Sequence, residues 1–257
     1  MGFLEEVKKH RQAVSEELYS RVLAVLKGDP MEFFSSKPKI SQLARPFFIG
    51  EVKPVSPSRG FISTIDWLQI KENYFHVDAV SVLTEEKHFL GSFFNLLMAS
   101  VIFDSKPILG KDFVVSLEQL DLMKRFGATN YLIIIDMLEE DEIRFILNND
   151  EPLEPLFEVR SMKDIELAEK FGARVVGVNS RNLKSLEVSH REILPLVEEA
   201  RKRFEVVIVE SGISQPEDVR IFSGMADGVL VGTALMKDIS ITEKLAKSIK
   251  NSLKGGI

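Results

Sequence analysis

Most of the chain alternates short apolar, β-branched runs with longer amphipathic stretches, the pattern of βα units laid around a parallel sheet. Eight runs read as strands: PFFIGEVK (46–53), DAVSVLT (78–84), PILGKDF (107–113), YLIIID (131–136), PLFEV (155–159), RVVGVN (174–179), VVIVES (206–211) and DGVLVG (227–232). Between them, SLEQLDLMKRFGA and SMKDIELAEKFGA each open on Ser, carry an acidic residue in the first turn and end on Gly, which are helix start and stop signals. The two stretches also resemble one another, so they read as a repeated αβ unit. Eight strand–helix alternations, with no GxGxxG after the first strand, favour a closed (β/α)8 TIM barrel over an open doubly wound sheet. Ahead of the first strand, EEVKKHRQAVSEELYSRVLAVLKG reads as one amphipathic helix, followed by the polar connector SSKPKISQLARP. The prediction is therefore a single domain over 1–257. A helical extension (1–45) precedes the barrel (46–257), its helix lying across part of the barrel mouth.

A length of 257 residues suits one closed barrel, and 45% hydrophobic with 28% charged residues leaves ample material for a core. The formal net charge of -6 disfavours a general nucleic-acid binder and leaves a small anionic substrate open. Without cysteine there is no disulfide framework, thiol nucleophile or thiolate metal site. The four histidines, His10, His76, His88 and His190, have no HExxH-like spacing, so no metal is expected. The start, MGFLEEVKKHRQ, is charged within its first turn, unlike a secretory signal, and no long uncharged run suggests a membrane span. A cytoplasmic protein with neither a membrane nor a nucleic-acid partner is the expectation.

The polar residues that interrupt the apolar runs carry the functional information, because catalytic groups of a β/α barrel project from the C-terminal ends of its strands. Here those ends hold Glu51 and Lys53, Thr84, Lys111 and Asp112, Asp136, Glu158, Asn179, Glu210 and Ser211, and Gly232. A lone Lys or Glu in such a place is commonly solvated or half of an ion pair. Several converging on one mouth are not accidental, since burying charge is costly unless the charges pair. After strands seven and eight, ESGIS and VGTALM place Gly212, Gly232 and Thr233 where backbone N–H groups can approach an anion closely. These glycines could equally make tight turns, but the SPSRG loop after strand one, with Ser56, Ser58 and Gly60, adds hydroxyl donors and favours phosphate. Phe89, Phe113, Leu183 and Leu186 lie near the same rim, as core residues or as contacts for an aromatic substrate.

The stretches EVKPVSPSRG, SVLTEEKHFLGS, PILGKDF, LFEV, GVNSRNL, VESGIS and GVLVGTALM resemble, in order, the strand-end motifs of the indole-3-glycerol phosphate synthase family, over Phe48 to Met236. The resemblance implies a ring-closing, decarboxylating lyase of tryptophan biosynthesis acting on a phosphorylated small molecule without a cofactor. It implies that Lys111 is the catalytic lysine, Lys53 the second lysine and Glu158 the catalytic glutamate, with Glu51, Asn179, Glu210 and Ser211 at further functional positions. It also implies phosphate contacts from Ser56, Gly212, Gly232 and Thr233, and contacts to the anthranilate half from Arg181, Phe89, Phe113, Leu183 and Leu186. Chemistry fits these residue types: an ammonium at Lys111 can stabilise the oxyanion that develops on ring closure, and Lys53 and Glu158 can divide the acid and base duties of water loss. Which of those two is the acid stays open. Glu51 beside a lysine would keep it charged and oriented. The sequence departs from the family at Asp136, where a small or apolar residue is usual, at Asn182, where an acidic residue is common, and in NNDEPLEP before strand five. At Asp136, local pairing with a lysine or an altered pocket is the expected consequence. Two alternatives are another phosphate-binding barrel such as phosphoribosylanthranilate isomerase, whose cysteine base this chain lacks, and a non-catalytic metabolite-binding barrel.

Overall fold

The structure is a computed structural model that describes residues 20–28, 34, 36–57, 60–150, 152–181 and 189–253. Its first strand, β1 (Phe47–Val52), is followed by a small antiparallel hairpin of β2 (Val55–Ser56) and β3 (Gly60–Phe61). Then come β4 (Ala79–Leu83), β5 (Ile108–Lys111), β6 (Asn130–Ile134), β7 (Glu154–Val159), β8 (Val175–Asn179), β9 (Val206–Glu210) and β10 (Gly228–Val231). All but the hairpin pair in parallel and close into a barrel in the order β1-β10-β9-β8-β7-β6-β5-β4, with β4 returning to β1. This is the predicted (β/α)8 barrel.

Side chains alternate across each strand, so every second residue enters the barrel. Phe47 and Ile49 of β1 join Leu109, Leu132, Leu156, Ile208 and Leu230 inside, while Phe48 and Val52 pack outward beneath the helices. The interior is thus a packed core rather than a pore. The polar connector ahead of β1 also contributes to it. A short 3-10 turn, Ile40–Gln42, inserts Ile40 into the interior cluster, and Ile40 N donates to Asn130 Oδ1 at 3.2 Å. Ser41 binds Glu154 Oε1 at 2.6 Å, so the N-terminal end of the barrel is closed by this plug.

The repeated αβ unit is visible as the helices Leu117–Arg125 and Met162–Lys170. Ser116 and Gln119 form one reciprocal N-terminal box, Ser161 and Asp164 the other. Each helix is left through a glycine at positive φ, Gly127 at 84° and Gly172 at 72°. Every barrel strand differs from the sequence expectation by one or two residues at its ends, most at β5 and β6. β6 pairs with β7 as far as Ile134 and with β5 only at Asn130 and Tyr131, then continues as a 3-10 turn, Ile135–Met137. β5 stops at Lys111, where Asp112 turns to accept from Thr84 Oγ1 at 2.6 Å and from Phe113 N at 2.8 Å.

Of the N-terminal extension, the helix Ser20–Lys27 packs against the helix Phe93–Ile102 on the barrel flank, with Val25 in the outer core. Residues 1–19, and with them most of the helix expected across the mouth, lie outside the described residues. Among the described residues no helix is long and apolar enough to cross a membrane.

Candidate active site

The inward phase that fills the barrel with Phe47 and Ile49 continues along β1 to Glu51 and Lys53. By the same count of two, Leu109 leads to Lys111, Leu156 to Glu158 and Arg160, Val175 through Gly177 to Asn179, and Ile208 to Glu210. Apolar residues form the body of the barrel, and ionisable ones crown its C-terminal end. One cavity there is lined by Glu51, Lys53, Lys111, Glu158, Asn179 and Ser211 over a floor of Leu83, Leu132 and Ile134.

Lys111 stands at the centre. Its Nζ lies 2.9 Å from Glu210 Oε2 and 3.1 Å from Glu51 Oε2, and Glu51 Oε1 lies 2.5 Å from Lys53 Nζ. Glu51 and Glu210 are almost wholly buried, at 2% and 0% exposure. Burial alone would raise the Glu51 carboxyl, but Lys111 and Lys53 outweigh it and hold it down at about 2. Burial would likewise strip Lys111 of its proton, yet Glu210, Glu51 and Glu158 together push the ammonium well above the ordinary lysine range. Glu210 goes the other way. Burial dominates there, the partial relief from Lys111 is opposed by Glu158 and Glu51, and the carboxyl is pushed up to about 7. Its Oε1 has no hydrogen-bond partner among the described residues.

Glu158 is held differently. It accepts from Asn179 Nδ2 at 2.9 Å on one oxygen and from the guanidinium of Arg160 on the other. Arg160 in turn binds Asp136 Oδ1 at 2.9 Å. The carboxylate after β6 thus pairs with an arginine, not with a lysine. The strand-end reading missed Arg160, although it is two residues beyond Glu158 on the inward phase, and counting one step further would have found it.

The remaining expected residues fall into three groups. Phe89 and Phe113 converge on one wall, ring centroids 6.2 Å apart. Phe89 is aimed by its local sequence: Glu85 caps the short helix Glu86–Phe89 by accepting from Lys87, His88 and Phe89 N–H groups. The chain then reverses at Leu90 with φ 50°, and Gly91 passes so close to Leu83 that a Cβ would lie 2.5 Å from its carbonyl oxygen. Ser56, on the hairpin, and Arg181, beyond β8, also line the cavity. Gly212, Gly232 and Thr233 follow β9 and β10 at the rim and are not among the residues that wall the cavity. Ser211 and Gly212, at φ 69° and 78°, swing the chain out of β9, and Ser180 Oγ lies 3.1 Å from both the Glu210 and Ser211 carbonyls. Ser58, Asn182, Leu183 and Leu186 lie outside the described residues.

A family profile described as indole-3-glycerol phosphate synthase matches residues 3–248. The chain belongs to that family. Among curated relatives, the indole-3-glycerol phosphate synthase of Aquifex aeolicus (strain VF5) is 34% identical, over 95% of this chain and 98% of its own length. The one from Staphylococcus aureus (strain Newman) is also 34% identical, over 95% and 96%. Solved structures with the same fold include 3-hexulose-6-phosphate synthase from Salmonella typhimurium, with a TM-score of 0.64, 15% identity, and coverage of 80% of this chain and 98% of that one. Another is 3-keto-L-gulonate-6-phosphate decarboxylase from Vibrio cholerae, with a TM-score of 0.62, 12% identity, and coverage of 82% and 98%. At such identities these two structures speak for the barrel alone. The family makes the chain an enzyme of tryptophan biosynthesis with a phosphorylated small-molecule substrate.

Proposed function

We propose that the chain acts as a carboxy-lyase, converting 1-(2-carboxyphenylamino)-1-deoxyribulose 5-phosphate to indole-3-glycerol phosphate by ring closure, decarboxylation and dehydration. The observation that carries this reading is the Lys111 ammonium, clamped between Glu51 and Glu210 in a cavity with a phenylalanine wall. In ring closure the carboxyl-bearing aromatic carbon attacks the ketone, and its oxygen becomes an alkoxide. An ammonium kept charged by three carboxylates stabilises that charge, and the alkoxide is basic enough to take its proton. Loss of carbon dioxide returns the bonding electrons to the ring. Dehydration then needs a proton on the departing hydroxyl and removal of one from the neighbouring carbon. Glu158, which accepts hydrogen bonds on both oxygens, suits the base; Lys53, an ammonium on the opposite side of Glu51, suits the acid.

Glu51 and Glu210 orient Lys111 in this scheme, and Asn179 orients Glu158. Phe89 and Phe113, with Arg181, take the carboxyphenyl half, alongside Leu183 and Leu186. Ser56, Ser211, Gly212, Gly232 and Thr233 take the phosphate side. Two separate regions therefore bind substrate without relying on Lys111.

The test is to mix protein with the carboxyphenylamino-deoxyribulose phosphate and follow indole fluorescence. The wild type is expected to form product, and Lys111→Ala to lower turnover by about two to four orders of magnitude. KM should change much less, because an interaction made mainly in the transition state appears in kcat. A folded Lys111→Ala variant with near wild-type kcat would sink the mechanism.

A further inference from the structure

Arg160 occupies a position to which the scheme above gives no role. It sits on the inward phase of β7 and lines the cavity, with only 13% of its side chain exposed. One terminal nitrogen pairs with Glu158, whose side chain is 2% exposed. The other terminal nitrogen binds Asp136 on the rim, whose side chain is 46% exposed. A long arginine on its own has many rotamers, and an exposed ion pair stabilises little. Anchored at both ends, the guanidinium becomes a rigid strut from the surface to a buried carboxylate. The register explains its placement: Ile134 of β6 lies beside Glu158 of β7, so continuing both chains by two residues sets Asp136 beside Arg160.

We propose that Arg160 is a positioning residue that holds Glu158 in one orientation, with Asp136 as its tether. This deepens the reading of Glu158 as the base of dehydration and rests on it. A base must lie within hydrogen-bond reach of the proton it takes, and its neighbours decide whether it does. Among the described residues, Glu158 is faced by Arg160 from its own strand exit, by Asn179 from β8, by Lys111 from β5 and by Glu210 from β9. Lys111 is already shared between two other carboxylates, and Glu210 is of like sign. Arg160 is thus the cation bonded directly to Glu158. Removing it leaves Glu158 held on one oxygen only, by Asn179, and free to turn about that contact.

The experiment compares wild type with Arg160→Gln, Arg160→Lys and Asp136→Asn by steady-state kinetics and by crystal structures of the free proteins. Arg160→Gln is expected to lower kcat by about 10–100-fold with KM little changed, the scale of a roughly 1 Å misplacement of a reacting group, and to leave the Glu158 carboxylate in more than one orientation. Asp136→Asn is expected to act the same way by less, and Arg160→Lys to restore most of kcat. An unmoved kcat with the Glu158 carboxylate still in place in Arg160→Gln overturns the proposal and leaves Arg160 as a brace for the rim. A large rise in KM with kcat unmoved overturns it too, and makes Arg160 a substrate contact. Should Arg160→Gln not fold, Asp136→Asn, which alters an exposed group, decides by the same criterion. The crystal structures use free protein, so a Glu158 released in Arg160→Gln beside a wild type that makes no indole product would refute the proposed function while upholding the strut.

Discussion

Two glycines make room for the carboxylates that grip Lys111. A Cβ on Gly232 would stand 2.2 Å from Glu51 Oε1, and one on Gly177 would stand 2.0 Å from Glu210 Oε1. Close approach, not backbone angle, demands glycine at both places. Gly232 therefore shapes the charge cluster, a role separate from the phosphate contact expected from its sequence context. Gly232→Ala is expected to push Glu51 off its lysines and lower kcat by about 10–100-fold, the scale of a roughly 1 Å misplacement, while inhibition by inorganic phosphate changes far less. Weakened phosphate inhibition with intact kcat would return Gly232 to an anion contact alone. At this scale the sequence was legible wherever a period of two carried an apolar strand into a charged end, as at Lys111, Glu158 and Glu210. It was not legible for the Asp136–Arg160 pair. That contact depends on the register between β6 and β7, and a register is a relation between two strands that neither sequence states.

The exit of β7 shows how an element holds a functional side chain. Asp164 Oδ2, in the first turn of the helix Met162–Lys170, accepts from Arg160 N at 2.8 Å and from Ser161 N at 2.9 Å, while Ser161 Oγ accepts from Asp164 N at 3.2 Å. Ser161→Ala removes one cap bond and is expected to lower stability by about 1 kcal/mol, leaving kcat nearly unchanged because Asp164 still grips the Arg160 backbone. Asp164→Ala releases two partly buried N–H groups at the strand exit, so it should lower the melting temperature further and reduce kcat as well. Thermal melts and kinetics on the same preparations separate the two, and equal kcat in both variants would show that the cap does not aim the site. These caps could be read in advance, since Ser followed three residues later by Gln or Asp is a local signal. The β2–β3 hairpin and the Ile40 plug could not. Two-residue strands carry no alternation, and Ile40 stands in a mostly polar connector with only Leu43 and Ala44 as further apolar residues, its burial set by the distant Asn130.

For the whole molecule, the active end of the barrel is a place where stability is given up. The buried carboxyl of Glu210 sits at about 7 against an ordinary 4.5, driven by burial and by the nearby carboxylates. Below pH 4.5 it is protonated in both the folded and the unfolded chain. Between 4.5 and about 7 the folded protein keeps a proton that the unfolded chain has released, so stability falls as pH rises through that window and is flat above it. A shift of that size corresponds to roughly 3 kcal/mol, or several degrees of melting temperature. Glu51 behaves oppositely: held at about 2, it contributes stability above pH 4.5 that is lost only in strong acid, outside this window. Glu210→Gln removes the titration and fills nearly the same volume, and Lys111 keeps Glu51 at 3.1 Å. The variant is expected to melt several degrees above wild type at pH 8, to match it near pH 4.5, and to lose most of its turnover because one of the carboxylates that orient Lys111 is gone. Melting curves at half-unit pH intervals check this. If the two proteins fall in parallel across the window, Glu210 is not the group that titrates there, and the cost of keeping a charged crown on an apolar barrel must lie in another of its carboxylates.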